Sequence, residues 1–339
     1  TNRQIYENLL RRMKEVEVTG AMRSTNISLV DAPEVPLAPY APQIQFSLAI
    51  ACLIGLSGGV GLAFLQELLD DTIKSPDDVE RFLRLATLGT IPEFSIEKES
   101  GPEGRGADRT VVSQPTSAGA EAIRTLRASL FLAAPGGLPS RLLLTSARPA
   151  EGKTCITYNL AAALSQMGSK VCVVDCDLRR PRLHKVVGVS LTPGLTNHLT
   201  GNLSIDEIIR RDEFGRIDFI TAGPTPPNPV DLLNSEALLR AVDELEGRYD
   251  YILFDAPPAL GFADVPILCN QLGGGCLLVT KAGATSRRVV KHACDYLIRM
   301  QSKLLGVVIN RVSTRSTGYS YYGYGYGGYG GYSGYYHYG

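Results

Sequence analysis

The chain has 339 residues, of which 44% are hydrophobic, so it contains enough apolar material for a sizeable core and is not a disordered protein. Its 34 Lys and Arg residues balance 34 Asp and Glu residues, which excludes an overall positive field that could hold nucleic acid. The seven Cys and four His residues show no paired metal-ligand spacing, which argues against a structural metal site and a disulfide framework. Since the first residue is Thr and no signal peptide follows, we expect a further segment upstream.

The first part of the chain predicts a helix followed by an extended strut. Ile5, Leu9, Met13 and Val16 recur at helical spacing among charged residues, which indicates an amphipathic helix. The segment DAPEVPLAPYAPQ at 31–43 is rich in proline, and the repeated loss of backbone donors favours an extended conformation.

Residues 44–65 form an uncharged apolar run that predicts a transmembrane helix. The run has 22 residues, and about 20 helical residues cross the hydrocarbon core of a bilayer. The alternative is a buried core helix, but such helices rarely lack a polar face over this length. Residues 24–43 contain no Lys or Arg, whereas Lys74, Arg81 and Arg84 follow the run. The positive-inside rule therefore predicts a cytoplasmic location after the span and a periplasmic location before it.

Residues 66–117 predict short juxtamembrane helices and a linker. A surface helix continues after the span, and Ser75 ahead of Pro76 is a typical cap for a second helix. From Glu93 to about Ser117 the sequence is rich in Gly, Glu, Ser and Arg and has no periodicity, which indicates a loop.

Residues 118–316 predict an α/β domain. Continuous apolar strands, each followed by a helix, favour a mostly parallel sheet with helices on both faces, whose strands end at one ligand-binding edge. Cys172 and Cys176 lie in one of these apolar runs and are interpreted as small core residues, with a redox pair as the alternative. The predicted strands are Leu142–Thr145, Val171–Asp175, Ile217–Thr221, Ile252–Asp255, Cys276–Thr280 and Gly306–Asn310, and the helices include Thr154–Met167 and Ser235–Glu246.

The first predicted strand is followed by SARPAEGKT at 146–154 and then by a helix, which is the context of a phosphate-binding P-loop. Lys153 would neutralise the β- and γ-phosphate oxygens, and Thr154 would offer its hydroxyl to Mg²⁺. Ala147 stands where the P-loop motif has its first glycine, so a turn that merely caps a helix is the alternative. The predicted ATP-binding residues are Ala147, Arg148, Pro149, Ala150, Glu151, Gly152, Lys153, Thr154 and Cys155, with Asn310 at the end of the last strand as an adenine contact.

Three carboxylates follow two other strands. Asp175 and Asp177 are two residues apart and share a face of an extended segment. Asp255, near the end of a later strand, stands where a Walker B carboxylate would lie. Each alone is typical of a strand-end turn, but together they predict a Mg-nucleotide site with catalytic residues Lys153, Asp175, Asp177 and Asp255 and metal ligands Thr154, Asp177 and Asp255.

The C-terminal tail has an unusual composition. Residues 318–339 contain ten Tyr and nine Gly residues and have neither aliphatic side chains nor charge. Such a segment cannot bury a core, so we expect disorder over 317–339. A self-associating low-complexity strip is the general alternative for this composition.

These motifs resemble those of the bacterial tyrosine kinases (BY-kinases) of the Wzz-type polysaccharide co-polymerase family. The resemblance covers essentially the whole chain and rests on VVDCDLR at 173–179 and FDAPP at 254–258 around the P-loop, LLDDTIKSPDDVE and LGTIP before it, and GPTPPNPVDLL and LLGVVINRV after it. Glu121, Arg124 and Arg127 match the ExxRxxR helix of the family. Ala147 and Glu151 depart from the glycine-richer P-loops that are common there.

The resemblance implies a tyrosine autokinase that uses ATP and Mg²⁺, with Asp175 or Asp177 accepting the phenol proton. It also implies an inner-membrane protein that forms a homo-oligomeric ring through Glu121, Arg124 and Arg127. Phosphorylation in trans would regulate exopolysaccharide polymerisation and export, with the polymerase and export machinery and a phosphotyrosine phosphatase as partners. The implied phosphoacceptors are Tyr319, Tyr321, Tyr322, Tyr324, Tyr326, Tyr329, Tyr332, Tyr335, Tyr336 and Tyr338.

The implied organisation has five parts. They are the end of a periplasmic co-polymerase module (1–43), a transmembrane helix (44–65), a juxtamembrane region (66–117), the P-loop kinase domain (118–316) and the Tyr-rich tail (317–339).

Two alternative functions and the role of one basic group remain open at this point. A MinD/ParA-like ATPase shares the fold, but it carries a signature Lys where this chain has Arg148, and it lacks a tyrosine tail. A non-catalytic scaffold that only binds nucleotide is the other functional alternative. A basic group lies at the end of one predicted strand and the start of the next helix, and it comprises Lys281, Arg287, Arg288 and Lys291. It is either an ordinary solvated helix start or a contact for anionic lipid or phosphotyrosine.

Overall fold

The computed structural model describes residues 2–21, 43–93, 107–133 and 136–313. Most of the predicted strut and all of the Tyr-rich tail lie outside the described residues. The chain divides into two compact units, Thr1–Leu69 and Asp70–Gly339.

The first unit contains two helices, α1 (Asn2–Ala21) and α2 (Ile44–Leu69). The predicted helices are both present, and α2 continues four residues past the predicted end of the apolar run. Its 26 residues extend about 39 Å at the helical rise per residue. The helix is therefore long and apolar enough to cross a membrane.

The second unit alternates strands and helices. Its strands are β1 (Thr87–Pro92), β2 (Arg141–Ser146), β3 (Val171–Asp175), β4 (Arg210–Asp212), β5 (Ile217–Ile220), β6 (Tyr251–Asp255), β7 (Gly275–Lys281) and β8 (Leu304–Val312). Its helices are α3 (Pro76–Leu83), α4 (Thr110–Ser113), α5 (Ala118–Ala133), α6 (Lys153–Ser165), α7 (Leu183–Val187), α8 (Leu195–Leu199), α9 (Ile205–Ile208), α10 (Pro229–Leu233), α11 (Glu236–Glu246), α12 (Asp264–Leu272) and α13 (Arg287–Arg299), with a 3₁₀ turn at Ala107–Arg109.

The described strands form one sheet in the order β1-β8-β7-β2-β6-β3-β5-β4. All neighbouring strands pair in parallel except β4, which pairs antiparallel with β5 at one edge. The connection from β2 through α6 to β3 passes over β6, which lies between them. Crossovers of this kind bring the carboxyl ends of β2, β6 and β3 side by side at one edge.

The core lies on both faces of the sheet, because successive strand side chains point to opposite sides. On β2, Leu142 and Leu144 pack against α5 and α6, whereas Leu143 packs in the cluster that includes α11, α12 and α13. The predicted mostly parallel α/β architecture with helices on both faces is confirmed, and the six predicted strands are all present. Cys172 and Cys176 are fully buried core residues, as predicted.

Two strands were missed by the sequence analysis. Residues 87–92 contain Gly89 and Pro92, which read as loop residues, yet they form the edge strand β1 beside β8. A Cβ atom on Gly89 would lie 3.1 Å from Leu126 Cβ, so the glycine allows α5 to approach the strand closely. The charged strand β4 was missed because an edge strand has little apolar signal. The compact unit accordingly begins at Asp70, whereas the predicted kinase domain begins at residue 118.

Candidate active site

The candidate site lies where β2, β6 and β3 end. The P-loop connects β2 to α6, Asp255 ends β6, and Asp175 ends β3. Asp175 and Asp255 are register partners in the parallel pair β3–β6. The fold therefore brings together side chains that are separated by up to 102 residues in the sequence.

The P-loop backbone has two positions with positive φ. Gly152, the residue that precedes α6, has φ +94°, which a glycine adopts without steric cost. Ala150 has φ +64°, which is uncommon for a residue with a side chain and must be held by its surroundings. The loop leads into the amino end of α6, where first-turn N–H groups lack helical partners and favour a phosphate.

Lys153 lies between two carboxylates. Its Nζ atom is 3.0 Å from Asp177 Oδ2 and 3.5 Å from Asp255 Oδ1. The Thr154 hydroxyl donates to Asp255 Oδ2 at 2.5 Å. All four side chains are buried, so these interactions are weakly screened by solvent. Lys153, Thr154, Asp177 and Asp255, four of the residues predicted for the Mg-nucleotide site, are thus joined by direct contacts.

The electrostatics of the site are unbalanced. Burial raises the pKa of Asp175 to about 8, reinforced by the neighbouring Asp255 carboxylate. Burial also raises the pKa of Asp255, although Lys153 opposes this shift. Burial alone would lower the pKa of Lys153, but Asp255 and Asp177 raise it overall, so the lysine is charged. One buried ammonium group therefore faces three carboxyl groups.

This donor set fits a divalent cation. A second positive charge would neutralise carboxylates that burial otherwise drives towards protonation. Among the residues that the structure describes, no group of three or more His, Cys, Asp or Glu side chains is arranged to hold a metal ion by itself. Mg²⁺ does not need such a group, because it usually binds one or two carboxylates and completes its shell with water and phosphate oxygens.

Asp175 and Asp177 are held differently. Both oxygens of Asp175 accept backbone N–H bonds, from Asp177 and Leu183, each at 3.1 Å. Asp177 accepts the Arg180 N–H at 3.0 Å through one oxygen and contacts Lys153 through the other. Asp175 therefore shapes the loop after β3, whereas Asp177 directs an oxygen towards the P-loop lysine.

An ion pair beside the site was missed by the sequence analysis. Arg179 donates to both oxygens of the fully buried Asp264, at 2.8 and 3.0 Å. Its guanidinium carbon also lies 4.3 Å from the centre of the Phe262 ring. Arg179 ends the VVDCDLR segment at 173–179, but nothing local in the sequence indicated its partner on α12.

The remaining predicted P-loop residues have varied roles. Ala147 is buried, and the Arg148 N–H donates to Glu151 Oε2 at 2.7 Å. Pro149 is solvent-exposed at the turn of the loop. The Cys155 thiol turns away from the loop and contacts the Asp108 carbonyl at 3.6 Å.

Asn310 supports the P-loop backbone. Its Nδ2 donates to the Glu151 carbonyl at 2.8 Å, and its Oδ1 accepts the Arg311 N–H at 2.9 Å. A Cβ atom on Gly152 would collide with the Asn310 amide, so this position needs glycine. The adenine contact of Asn310 stays a prediction, and its contact with the P-loop backbone has no signal in the local sequence.

The predicted oligomerisation residues lie on α5. Arg124 pairs with Glu121 at 3.0 Å and donates to the Pro115 carbonyl at 2.7 Å. Arg127 instead turns inward and donates to the Ala163 carbonyl on α6. The three side chains are therefore not equivalent on the helix surface.

The basic group near α13 is partly paired. Arg287 forms an ion pair with Asp78 at 2.9 Å and lies 4.5 Å from the Phe82 ring centre. Arg288 lies 3.8 Å from Asp71. These contacts link α13 to α3 and to the segment that precedes it.

The fold and this site define a P-loop nucleotide-binding protein of the α/β class. The AAA domain family model matches residues 148–271, and the GNVR model, described as a G-rich domain, matches residues 1–68. The tyrosine-protein kinase etk of Escherichia coli strain K12 is 29% identical over 333 residues, which cover 94% of this chain. This chain belongs to the bacterial tyrosine-kinase family.

Solved structures agree with this assignment. The kinase domain of the Escherichia coli tyrosine kinase ETK aligns with a TM-score of 0.67 and 28% identity, over 72% of this chain and 97% of that domain. The chimerical protein CapA2B2 aligns with a TM-score of 0.64 and 30% identity, over 71% of this chain and all of that one. The chain spans 46% of the etk sequence, which is less than half of that relative's length.

Proposed function

We propose that this chain is an ATP-dependent protein-tyrosine autokinase that phosphorylates its own C-terminal tyrosine cluster. The observation that carries the proposal is the contact of Lys153 with Asp177 and Asp255 beside a P-loop. The same chain has ten tyrosines within residues 318–339. Membership of the tyrosine-kinase family supports this activity over simple ATP hydrolysis.

The P-loop residues 147–155 bind the phosphates in this proposal. The backbone N–H groups at the start of α6 bind the β-phosphate, and Lys153 binds the β- and γ-oxygens. Binding of the lysine to phosphate would draw it away from Asp177, whose Oδ2 then becomes available for another role.

Thr154 and Asp255 are the residues best placed to hold Mg²⁺, which leaves Asp177, the third ligand predicted from the sequence, to act as the proton acceptor. When bound, the ion neutralises charge that develops on the transferred phosphoryl group.

Asp177 is the proposed proton acceptor. The phenol oxygen of the acceptor tyrosine forms a bond to the γ-phosphorus as the bond from that phosphorus to the bridging oxygen breaks, and ADP leaves. The phenol proton passes to Asp177. Asp175 is less available for this step because backbone N–H groups occupy both of its oxygens. Since the transition state is loose, the in-line positioning of the attacking phenol oxygen and the leaving bridging oxygen contributes more to the transfer rate than the strength of the base.

Transfer occurs between subunits in this proposal. Glu121 and Arg124 on α5 contribute to the contact that joins kinase domains, and the tail of one copy enters the site of the next. Each phosphate adds about −1.5 to −2 charges, so a phosphorylated tail is repelled from the carboxylates and the assembly loosens.

We also propose an inner-membrane location for the chain. In this arrangement α2 spans the membrane, residues 1–43 end a periplasmic co-polymerase module, residues 66–316 are cytoplasmic, and 317–339 is the acceptor tail. The proposed partners are further copies of the chain, the exopolysaccharide polymerase and export machinery, and a phosphotyrosine phosphatase.

Mass spectrometry of the purified chain incubated with Mg-ATP tests the activity. We expect phosphate on tail tyrosines, a loss of at least about 100-fold in Lys153→Met and Asp177→Asn, and no change in Asp243→Asn, which replaces an exposed carboxylate elsewhere. Phosphate on Ser or Thr, ATP hydrolysis without phosphotyrosine, or an active Lys153→Met protein would refute the proposal.

A further inference from the structure

Residues 71–73 pair with the loop that precedes α13. This segment leads from Leu69 at the end of α2 into the second unit. The Ile73 N–H donates to the Thr285 carbonyl at 3.0 Å, and the Gly283 N–H donates to the Ile73 carbonyl at 2.8 Å. The Arg287 N–H donates to the Asp71 carbonyl at 2.8 Å. The pairing is made by backbone groups, so it fixes the position of the Thr285 backbone.

The side chain of Thr285 extends from this pairing to the P-loop. Its hydroxyl donates to Glu151 Oε1, and both residues are buried, with 2% of each accessible to solvent. The other oxygen of Glu151 accepts the Arg148 N–H at 2.7 Å. One carboxylate oxygen of Glu151 therefore accepts from the P-loop backbone, and the other accepts from the loop that precedes α13.

The P-loop needs this support. Ala150 adopts a positive φ next to Glu151, a conformation that persists only where neighbouring contacts hold it. Removal of the Thr285 donor would leave the buried carboxylate with fewer hydrogen bonds, which is costly in a low-dielectric interior. The carboxylate would then shift or take up a proton, and the backbone between Arg148 and Glu151 would lose its fixed geometry.

We propose that Thr285 is a positioning residue for the P-loop, which couples docking of the 71–73 segment to nucleotide affinity through the Glu151 carboxylate. The inference rests on the proposed binding of nucleotide at this loop. It makes the segment that follows α2 part of the regulation of the site, because any displacement of Ile73 moves the group that donates to Glu151.

The coupling is reciprocal by thermodynamic necessity. If docking of 71–73 favours nucleotide binding, then nucleotide binding must favour docking of 71–73 by the same factor. The second effect is observable at residues that do not belong to the P-loop.

The first experiment measures the affinity for a fluorescent ADP in the presence of Mg²⁺, with the full chain in detergent micelles. Thr285→Val is expected to weaken binding roughly ten-fold, the factor that corresponds to about 1.4 kcal/mol, and Thr285→Ser, which keeps the hydroxyl, is expected to restore it. The matched control is Thr196→Val. Thr196 is also buried and donates its hydroxyl to the Ala222 carbonyl at 2.8 Å, beyond β3 and β6 from the P-loop. Equal losses in Thr285→Val and Thr196→Val, or no loss in either, would overturn the proposal.

The second experiment measures hydrogen exchange of the peptide that contains residues 70–75, with and without ADP. In the unaltered chain and in Thr285→Ser, ADP should slow exchange of the Ile73 amide, and in Thr285→Val it should not. The measurement on the unaltered chain tests the proposal even where Thr285→Val does not fold. An exchange rate of the Ile73 amide that is the same with and without ADP would contradict the proposal.

Neither readout depends on phosphotyrosine. A chain that binds ADP with the expected coupling but makes no phosphotyrosine would refute the kinase proposal and leave this one standing. A chain that binds no nucleotide would refute both.

Discussion

At the scale of single residues, the site concentrates buried charge. Asp175, Asp177 and Asp255 surround one lysine, and two of the three have pKa values raised by burial. A carboxyl group whose pKa is raised in the folded state adds stability below its unfolded value of about 4. That contribution is lost as the pH rises through the folded value, which is about 8 for Asp175. Without bound ligands, the buried carboxyl groups therefore make the folded state less stable at neutral pH than at a pH below about 4.

Asp255→Asn is expected to stabilise the ligand-free chain. The asparagine keeps the size of the side chain, can still accept from Lys153, and removes a charge that raises the pKa of Asp175. Its free energy of unfolding should exceed that of the unaltered chain by about 0.5–2 kcal/mol at pH 8, and the difference should shrink towards pH 4. Urea denaturation across this pH range measures both quantities. A variant that is less stable at pH 8, or a difference that does not change with pH, contradicts this electrostatic account.

At the scale of secondary-structure elements, close approach between β1 and β8 completes the sheet. A Cβ atom on Gly306 of β8 would lie 2.6 Å from the Ala86 carbonyl oxygen and 2.7 Å from Leu88 Cγ. Real Cβ atoms do not approach a backbone oxygen this closely, so β1 could pair with β8 only after a backbone shift. The edge strand thus depends on a glycine in its neighbour.

Gly306→Ala is expected to lower the free energy of unfolding by about 1–3 kcal/mol, the range for overpacked sites. Gly247→Ala is the matched control. Gly247 has φ −68°, and its added Cβ would meet no atom closer than 3.6 Å, so it should be neutral or should add about 0.4–1 kcal/mol. Both values come from chemical denaturation of the same preparation. Equal stability of the two variants would show that β1 is not packed as described.

At the scale of the whole molecule, the proposed assembly would use one exposed face of α5. Glu121 is 60% exposed on its side chain, whereas Arg127 is committed to the Ala163 carbonyl within the same domain. A charge reversal at Glu121 should therefore disturb contacts between copies without disturbing the fold.

Glu121→Lys is expected to reduce self-association and tail phosphorylation at least about five-fold, with an unchanged melting temperature. Glu236→Lys is the matched control, because Glu236 is an exposed residue of α11 that also pairs with an arginine on its own helix. Light scattering after size-exclusion chromatography measures assembly, and antibody detection measures phosphotyrosine. Equal loss of assembly in the two variants would show that overall charge, and not this face of α5, is responsible.

Much of the fold follows from local patterns. Continuous apolar runs at β2, β3 and β6 identify buried parallel strands because both faces of such strands are covered. The P-loop and the strand-end aspartates were identified because phosphate and Mg²⁺ chemistry needs those side chains at strand ends. The edge strands β1 and β4 were missed because edge positions tolerate Gly, Pro and charge, which resemble loop composition.

Residue chemistry and periodicity alone determine that this chain is an α/β P-loop protein with an apolar helix long enough to span a bilayer and a tyrosine-rich end. Only the folded sheet decides which distant groups meet. Arg179 donates to Asp264, which is 85 residues away in the sequence, and Thr285 donates to Glu151, which is 134 residues away. No local pattern encodes such pairs, because each depends on strand order and on how loops from different strands converge at one edge.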